Sequence, residues 1–488
     1  MLIQWIGMNS ETIDSTGPAP SASPNGATRA AAPARAAILG LPVPAFLLGL
    51  LFVLAVAVLT AGANLADFRA GWIAGQAFAA GRFDLIYPPL EGHYTMRPPA
   101  AWLDWLAAEG FRGVVYPFVY PPLWAWVAAQ VARFAAFPQV AAAAAVLNGT
   151  MVVAMLVMAR NLVAPRLDLT LYLFVGLVSL SLSMIGVVSL MESQPQIFVA
   201  FLTLVAISRA ERGEALLPGA ALALAASIKL YPAFLALLFL ARGQRRAAAA
   251  FALAGAALAA LSVAVAGWPL HRQFLALLGE MSGTTLVTHL TYSLESAAAQ
   301  FLFAGRLDHV PLAVTDPALA DIYTLVLFRE PAAFQRTFAL LQVAAIGAVT
   351  LLFHRMSRDR GRPFPPLLWP FALTALALTG PLAWAYYFLA PAAFLPALMD
   401  RLPWRFALPA IAAATCLLSP FAQSVIRVDG QLTLRGMLLL QWVGTATLCA
   451  FGLILLWLAL RDRTGAAAAG TAPPPAAPPP AAPPPAAP

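Results

Sequence analysis

Apolar runs separated by short polar breaks fill most of the chain. They fall at roughly 42–63, 119–137, 139–159, 170–190, 195–208, 215–229, 231–241, 247–267, 337–353, 366–380, 385–400, 406–425 and 437–460. Several are shorter than the ~20 residues that a simple membrane-spanning helix needs. Short, proline-interrupted segments are tolerated at membrane depth where they line a cavity. The pattern therefore predicts an all-α polytopic bundle of about 11–13 spans. It also marks the stretch around 190–245 as the place to look for a site.

Composition agrees with that class. Of the 488 residues, 61% are hydrophobic and 10% are charged, and the mean hydropathy is +0.79. A soluble domain carries roughly 25% charged residues, so this chain cannot dress a water-facing surface of ordinary size. The net charge is +8. The arginines responsible sit in the breaks between apolar runs, where they set topology, and nucleic acid is not an expected partner. Cys416 and Cys449 both lie inside apolar runs, and the five histidines form no metal-binding spacing. Neither a disulfide framework nor a metal site is encoded.

Two tails flank the bundle. Residues 1–37 are rich in Ala, Pro, Ser and Gly, and residues 464–488 form an Ala/Pro tract. Both compositions predict disorder. The core is then 38–463. Arg209 and Arg212, the Arg242–Arg246 cluster, the run at 354–362, and Arg401, Arg405, Arg461 and Arg463 are expected on the cytoplasmic side with both tails. The segments 64–118 and 268–336 then become extracytoplasmic loops carrying short amphipathic helices. An even number of crossings between 118 and 192 means either that 119–137 does not fully cross or that the three apolar runs there split or merge a helix; the first is favoured, since it leaves Arg160 and Arg166 inside.

Candidate chemistry gathers at the breaks assigned to the outer face. Asp67 follows the first apolar run, at the head of DFRAGWIAGQAFAAGRFDLIYPP. An aspartate there can be a helix N-cap or a site carboxylate, and Asp84 competes with it in the same loop. Tyr120 opens a second Tyr-Pro-Pro, which also reads as an interfacial anchor and helix start. Glu192, Gln194 and Gln196 lie in MESQPQ, which also reads as a plain polar break. Lys229 is the only lysine in the chain and sits at the end of an apolar run, before Tyr231 and Pro232. A cation at membrane depth costs roughly 2.5–3.5 kcal/mol on insertion scales, which favours a functional role over snorkelling. Trp384, Tyr386 and Tyr387 fall in GPLAWAYY, and Ser293 and Glu295 in THLTYSLES. An aromatic belt accounts for the first group taken alone. The shared face is what raises a site above these separate readings.

The order of these segments resembles glycosyltransferase family 87. The pattern runs from the Asp-Phe opening and its Tyr-Pro-Pro through the second Tyr-Pro-Pro, SQPQ, AASIKLYP and YSLE to GPLAWAYY, and covers roughly residues 40–400. The resemblance implies a GT-C-type helix bundle in a bacterial cytoplasmic membrane, with an extracytoplasmic site. It implies a polyprenyl-phosphate sugar donor, mannose favoured, a lipid-linked or cell-envelope glycan acceptor, and inversion. The family's catalytic base maps onto Asp67. Lys229 and Arg69 are the candidate cations for the donor phosphate, and Gln194 and Gln196 the candidate partners of sugar hydroxyls. Tyr120, Tyr231 and Trp384 suit stacking on sugar or lining a lipid groove. Tyr386 and Tyr387 stand where family members often carry a histidine near the donor phosphate, and Ser193 stands where a glycine is usual. No cofactor or metal is expected, and the outer loops hold no DxD motif. Two other readings are a GT-C relative that moves another sugar such as arabinose, and a non-catalytic protein that binds or transports lipid-linked sugar. Transport predicts charges through the spans and internal symmetry, and the sequence has neither.

Overall fold

The computed structural model describes residues 37–316, 324–359, 361–425, 427–428, 431–432 and 434–470. The expected N-terminal tail lies outside these residues except for residue 37. Of the expected C-terminal tail, residues 464–470 belong to the last helix and the rest lies outside.

The first helix, α1 (Val43–Thr60), is apolar on every face, as a lipid-embedded helix must be. It ends at Gly62, whose φ of 84° turns the chain back. Outside it follow α2 (Ala66–Ala79), α3 (Ala101–Ala108) and α4 (Pro122–Val131), and then the long α5 (Phe137–Val163). Helices α1 and α5 run antiparallel with reciprocal small contacts. Gly49 faces Val153 and Gly149 faces Val53, and a Cβ at Gly149 would lie 3.1 Å from the Val53 Cα. Small residues let two backbones approach where hydrocarbon offers no other drive. At the head of α5, Phe137 packs on Phe68 and Trp72 of α2, with ring centroids 6.0 and 5.8 Å apart. The chain from the end of α1 to the start of α5 thus leaves and re-enters at one end of the bundle, and 119–137 does not cross.

The next elements are α6 (Leu169–Leu182), α7 (Met184–Met191), α8 (Gln196–Glu211), α9 (Leu216–Ile228) and α10 (Leu235–Ala241). Helices α6 and α7 are bent by 76° at Ser183. The Ser183 hydroxyl caps α7 by accepting from the Gly186 N–H, and Gly186 packs onto the Leu180 carbonyl, where a Cβ would not fit. Helix α9 stops at Lys229, which is extended, two residues before the Tyr231-Pro232 turn.

The remaining helices of ten residues or more are α11 (Arg245–Ser282), α12 (Leu294–Phe303), α13 (Ala332–Arg358), α14 (Leu368–Thr379), α15 (Trp404–Leu417) and α16 (Leu434–Gly470). Helix α11 kinks at Gly267 (φ 73°, ψ 156°), followed by Pro269. The apolar run expected to end at 267 therefore continues as helix to Ser282, taking the first part of the expected outer loop with it. Beyond it, β1 (Thr284–Val287), β2 (Asp308–Pro311) and β3 (Thr324–Arg329) form an antiparallel sheet in the order β1-β3-β2.

Among the described residues, five helices are long and apolar enough to span a membrane, or six if the bent pair α6–α7 counts as one span. The five are α1, α5, α11, α13 and α16. The other apolar runs form shorter helices. At about 1.5 Å per residue, α9 and α14 reach about 20 Å, against about 30 Å of hydrocarbon. Each belongs to a hairpin that turns back inside the bundle. Their far ends meet where Arg242, just past α10, pairs with Glu211 of α8, and Trp369 of α14 donates to the same carboxylate. Their turns, at 192–195, 229–231 and 380–387, meet at the opposite pole beneath α2.

Candidate functional site

Asp67 lies in the first turn of α2, and it is not that helix's cap. The cap position is Leu65, held at φ 49°, with no side-chain capping bond. Glu192, from the turn after α7, does the work instead. Its carboxylate accepts from the Asp67 N–H at 3.4 Å and also from Ala66. The Asp67 side chain is thereby freed, and it accepts a hydrogen bond from Gln194 Nε2. Burial and the nearby charge of Glu192 push the Asp67 carboxyl up to about 7, against the opposing pull of Lys229 and Gln194. Burial raises Glu192 as well, opposed by the two backbone N–H groups it accepts. A carboxylate with raised affinity for a proton, held at a cavity wall, is suited to act as a general base near neutral pH.

Lys229 projects from the break after α9 into a box of tyrosines. Its Nζ lies 4.5 and 4.6 Å from the ring centroids of Tyr386 and Tyr387, and 5.8 Å from that of Tyr120. Among the described residues, no carboxylate lies within ion-pair distance of it. Aromatic faces hold the ammonium by cation–π attraction and leave its N–H donors free for an anion. The box is built by ring contacts between hairpins. Tyr231 packs on Tyr387 at 5.1 Å, and Tyr386 stacks on Tyr387 and on Trp384. The loop before α12 pins this turn through Tyr292 N–H to the Ala383 carbonyl and Ala385 N–H to the Leu290 carbonyl, both 2.7 Å.

Asp67, Tyr120, Lys229, Tyr231, Trp384, Tyr386 and Tyr387 line one cavity of about 690 Å³. Gln194 touches Asp67 from the side. Gln196 lies behind the wall, fully buried, and its Nε2 donates to the Tyr231 hydroxyl at 2.6 Å. Arg69 is not brought to the site. Its guanidinium lies between the rings of Phe111 and Phe137, 4.3 and 4.1 Å from their centroids, and lines neither cavity that Asp67 touches. Asp84 is exposed and paired with Arg82 at 2.9 Å, away from the cavity. Ser293 caps the N-terminus of α12 by accepting from the Ser296 N–H, so THLTYSLES positions a helix rather than a ligand.

Sequence reasoning missed part of the wall. Tyr94 and Met96 from the loop before α3, Tyr116 from the loop before α4, and Phe274 and Met281 from α11 beyond its kink, also line the cavity. No local pattern singles them out. They come from segments between recognisable motifs and are placed by the tertiary fold alone.

Residues 118–327 match the family model of glycosyltransferase family 87. The family 87 match takes in Tyr120, Glu192, Gln194, Gln196, Lys229 and Tyr231. Asp67, Trp384, Tyr386 and Tyr387 lie outside it and join the site through the fold. No curated protein matches the chain.

Proposed function

We propose that the protein transfers a hexose, mannose favoured, from a polyprenyl-phosphate sugar to an acceptor hydroxyl, with inversion. The observation that carries this reading is one cavity, set among membrane-length helices, that holds a proton-accepting carboxylate and an ammonium with no carboxylate partner. In the step assigned, the acceptor oxygen attacks the anomeric carbon and Asp67 takes its proton. The bond from that carbon to the phosphate oxygen breaks, and the electron pair leaves with the phosphate. The Lys229 ammonium compensates the charge gathering there, which is where a fixed cation has most effect. Tyr386 and Tyr387 hold the lysine in place. The mannose preference rests on the family resemblance. The outward orientation rests on the arginine distribution, and the bacterial cytoplasmic membrane on the family resemblance.

The test is transfer from radiolabelled polyprenyl-phosphate hexoses in membranes carrying wild type or Asp67→Asn at equal expression. The expected result is a labelled product with wild type and a large loss with the variant. A variant that keeps its rate places the base elsewhere. No transfer by wild type from any such donor overturns the reading.

A further inference from the structure

We propose that the pole away from Asp67 carries a site for an anionic phospholipid, with the headgroup in a cationic pocket and the acyl chains along α1 and α6. The proposal is independent of the transfer reading.

The pocket has a volume of about 480 Å³ and lies where three helices meet. Gly40 and Pro42 come from the approach to α1, Arg160 and Asn161 from the last turn of α5, and Arg166 and Asp168 from the turn into α6. Helices α1 and α5 are long and apolar enough to span the membrane, and α6 belongs to the bent pair that makes a further span. The pocket therefore sits at the level where hydrocarbon gives way to headgroups.

Arg160 builds this pocket. Its Nε and Nη2 donate to the Leu167 carbonyl at 2.9 and 2.6 Å, which pins the turn that carries Arg166. Its Nη1 donates to the Asn161 Oδ1 at 3.1 Å, which leaves the Asn161 amide nitrogen as a donor. Arg401 holds the start of the same turn by donating to the Val163 carbonyl at 2.6 Å. Among the described residues, no carboxylate lies within ion-pair distance of Arg160 or Arg166, whereas Arg209, Arg242, Arg401 and Arg463 at the same pole are each paired with one. The acidic group in the wall is Asp168. Its Oδ1 accepts from the Leu171 N–H at 3.0 Å, so its charge serves the N-terminus of α6. Two guanidinium groups against one committed carboxylate leave a positive surplus that a phosphate complements.

The surface beside the pocket supplies the rest of a lipid site. Leu47, Leu51 and Leu54 are exposed on α1, and Leu171, Phe174 and Val178 on α6. Steps of three and four keep each set on one helix face. The two helices pack together and both start at the pocket, so two apolar stripes lead away from it into the spanning part. A molecule with one anionic head and two apolar chains matches this layout. A free phosphate leaves the stripes unused, and a choline headgroup brings its own cation toward the arginines. Basic pockets between spanning helices are a recurrent means of holding such headgroups.

The test uses the full-length protein in a neutral detergent, with dioleoyl-phosphatidylglycerol, dioleoyl-phosphatidylcholine and glycerol phosphate as probes. Bound lipid is counted by native mass spectrometry, and the melting temperature is followed in parallel. The expected result is saturable binding of phosphatidylglycerol with a rise in melting temperature, and weaker binding of phosphatidylcholine. Arg166→Gln is expected to lower the affinity for phosphatidylglycerol about fivefold while leaving that for phosphatidylcholine, and the melting temperature without added lipid, unchanged. Asn161→Asp, which puts a negative charge into the wall, should give the same selective loss by a second route. Arg405→Gln removes an exposed arginine of the same pole outside the pocket and should change neither affinity. Equal affinity for the two lipids, or equal losses in Arg166→Gln and Arg405→Gln, overturns the site. Saturation by glycerol phosphate at the same concentrations makes this a site for soluble phosphate and overturns the lipid. Sugar transfer enters none of these readouts, so the transferase reading stands or falls separately.

Discussion

The two poles of the hairpin bundle both hold a cation among aromatic rings, and they treat it in opposite ways. At one pole, Arg242 donates twice to Glu211 from Nη2 at 2.7 Å and once from Nε at 3.1 Å. Trp369 donates to the same carboxylate at 3.1 Å, and the ring of Phe364 covers the guanidinium at 3.7 Å. Both charged side chains are only 16% exposed, and each one's main bonding groups are taken. At the other pole, Lys229 has tyrosine faces around it and no carboxylate within pairing distance, while the Oε1 atoms of Gln194 and Gln196 are buried without partners. A bidentate, capped ion pair holds helices together. A cation and the Gln194 amide oxygen, left with spare capacity at cavity walls, await something else. Burial and charge alone do not separate the two cations; whether the cation's own donors are taken by a carboxylate does.

Substitution should separate the poles in the same way. The largest effect is expected from Asp67→Asn, which keeps the size and removes the base. Transfer should fall by about 10²–10⁴-fold, with thermal stability nearly unchanged, as read by initial rates and a melting curve on the same preparation. Lys229→Met should lower the rate by roughly 10²–10³-fold and weaken binding of polyprenyl phosphate. Loss of stability instead of rate would make Lys229 a structural cation like Arg242. Arg242→Met should do the reverse. It leaves Glu211 without its counter-charge, a loss of about 3 kcal/mol, taken at the low end for a buried pair because of the partial exposure. The surviving folded protein should transfer sugar at the wild-type rate. A catalytic loss without a stability loss at Arg242 would erase the contrast.

How far this site could be read in the sequence depends on which physics placed each residue. Lys229 was legible because a lone lysine at membrane depth is costly and needs a reason. Asp67 was legible because topology sent it to the same face as the other breaks. Arg69 was misplaced for a geometric reason. Residues two apart on a helix point to different sides, so with Asp67 facing the cavity, Arg69 turns to Phe111 and Phe137. Gln194 and Gln196 part for a related reason. The first precedes α8 and reaches Asp67, while the second, inside it, reaches Tyr231. The helix bundle was legible from hydropathy, and the hairpins were foreshadowed by runs too short to cross. The convergence of three turns on α2 was not, because it depends on packing such as that of Gly75. A Cβ there would lie 2.8 Å from the Ala129 backbone nitrogen.

The smallest expected effect is the most specific one, and it concerns Glu192. Its carboxylate supplies the cap that Leu65 cannot, and its charge helps raise the Asp67 carboxyl. Glu192→Gln keeps an acceptor oxygen for the backbone N–H groups and removes the charge. A base must be ionised to take a proton, so the wild-type rate should fall as pH drops through the raised Asp67 pKa of about 7. Removing a like charge makes the ionised form of Asp67 easier to reach. The acidic limb of the rate profile should therefore move to lower pH in Glu192→Gln, with little change in the plateau. Lys229→Met removes an opposite charge, so its residual activity should show that limb displaced to higher pH. Glu192→Ala also loses the cap, about 1 kcal/mol, and should lower the melting temperature without restoring the wild-type limb. A limb that stays put in both charge variants would mean that Asp67 is not the group whose ionisation the rate follows. The contrast between a closed ion pair and an open site would then need a different base.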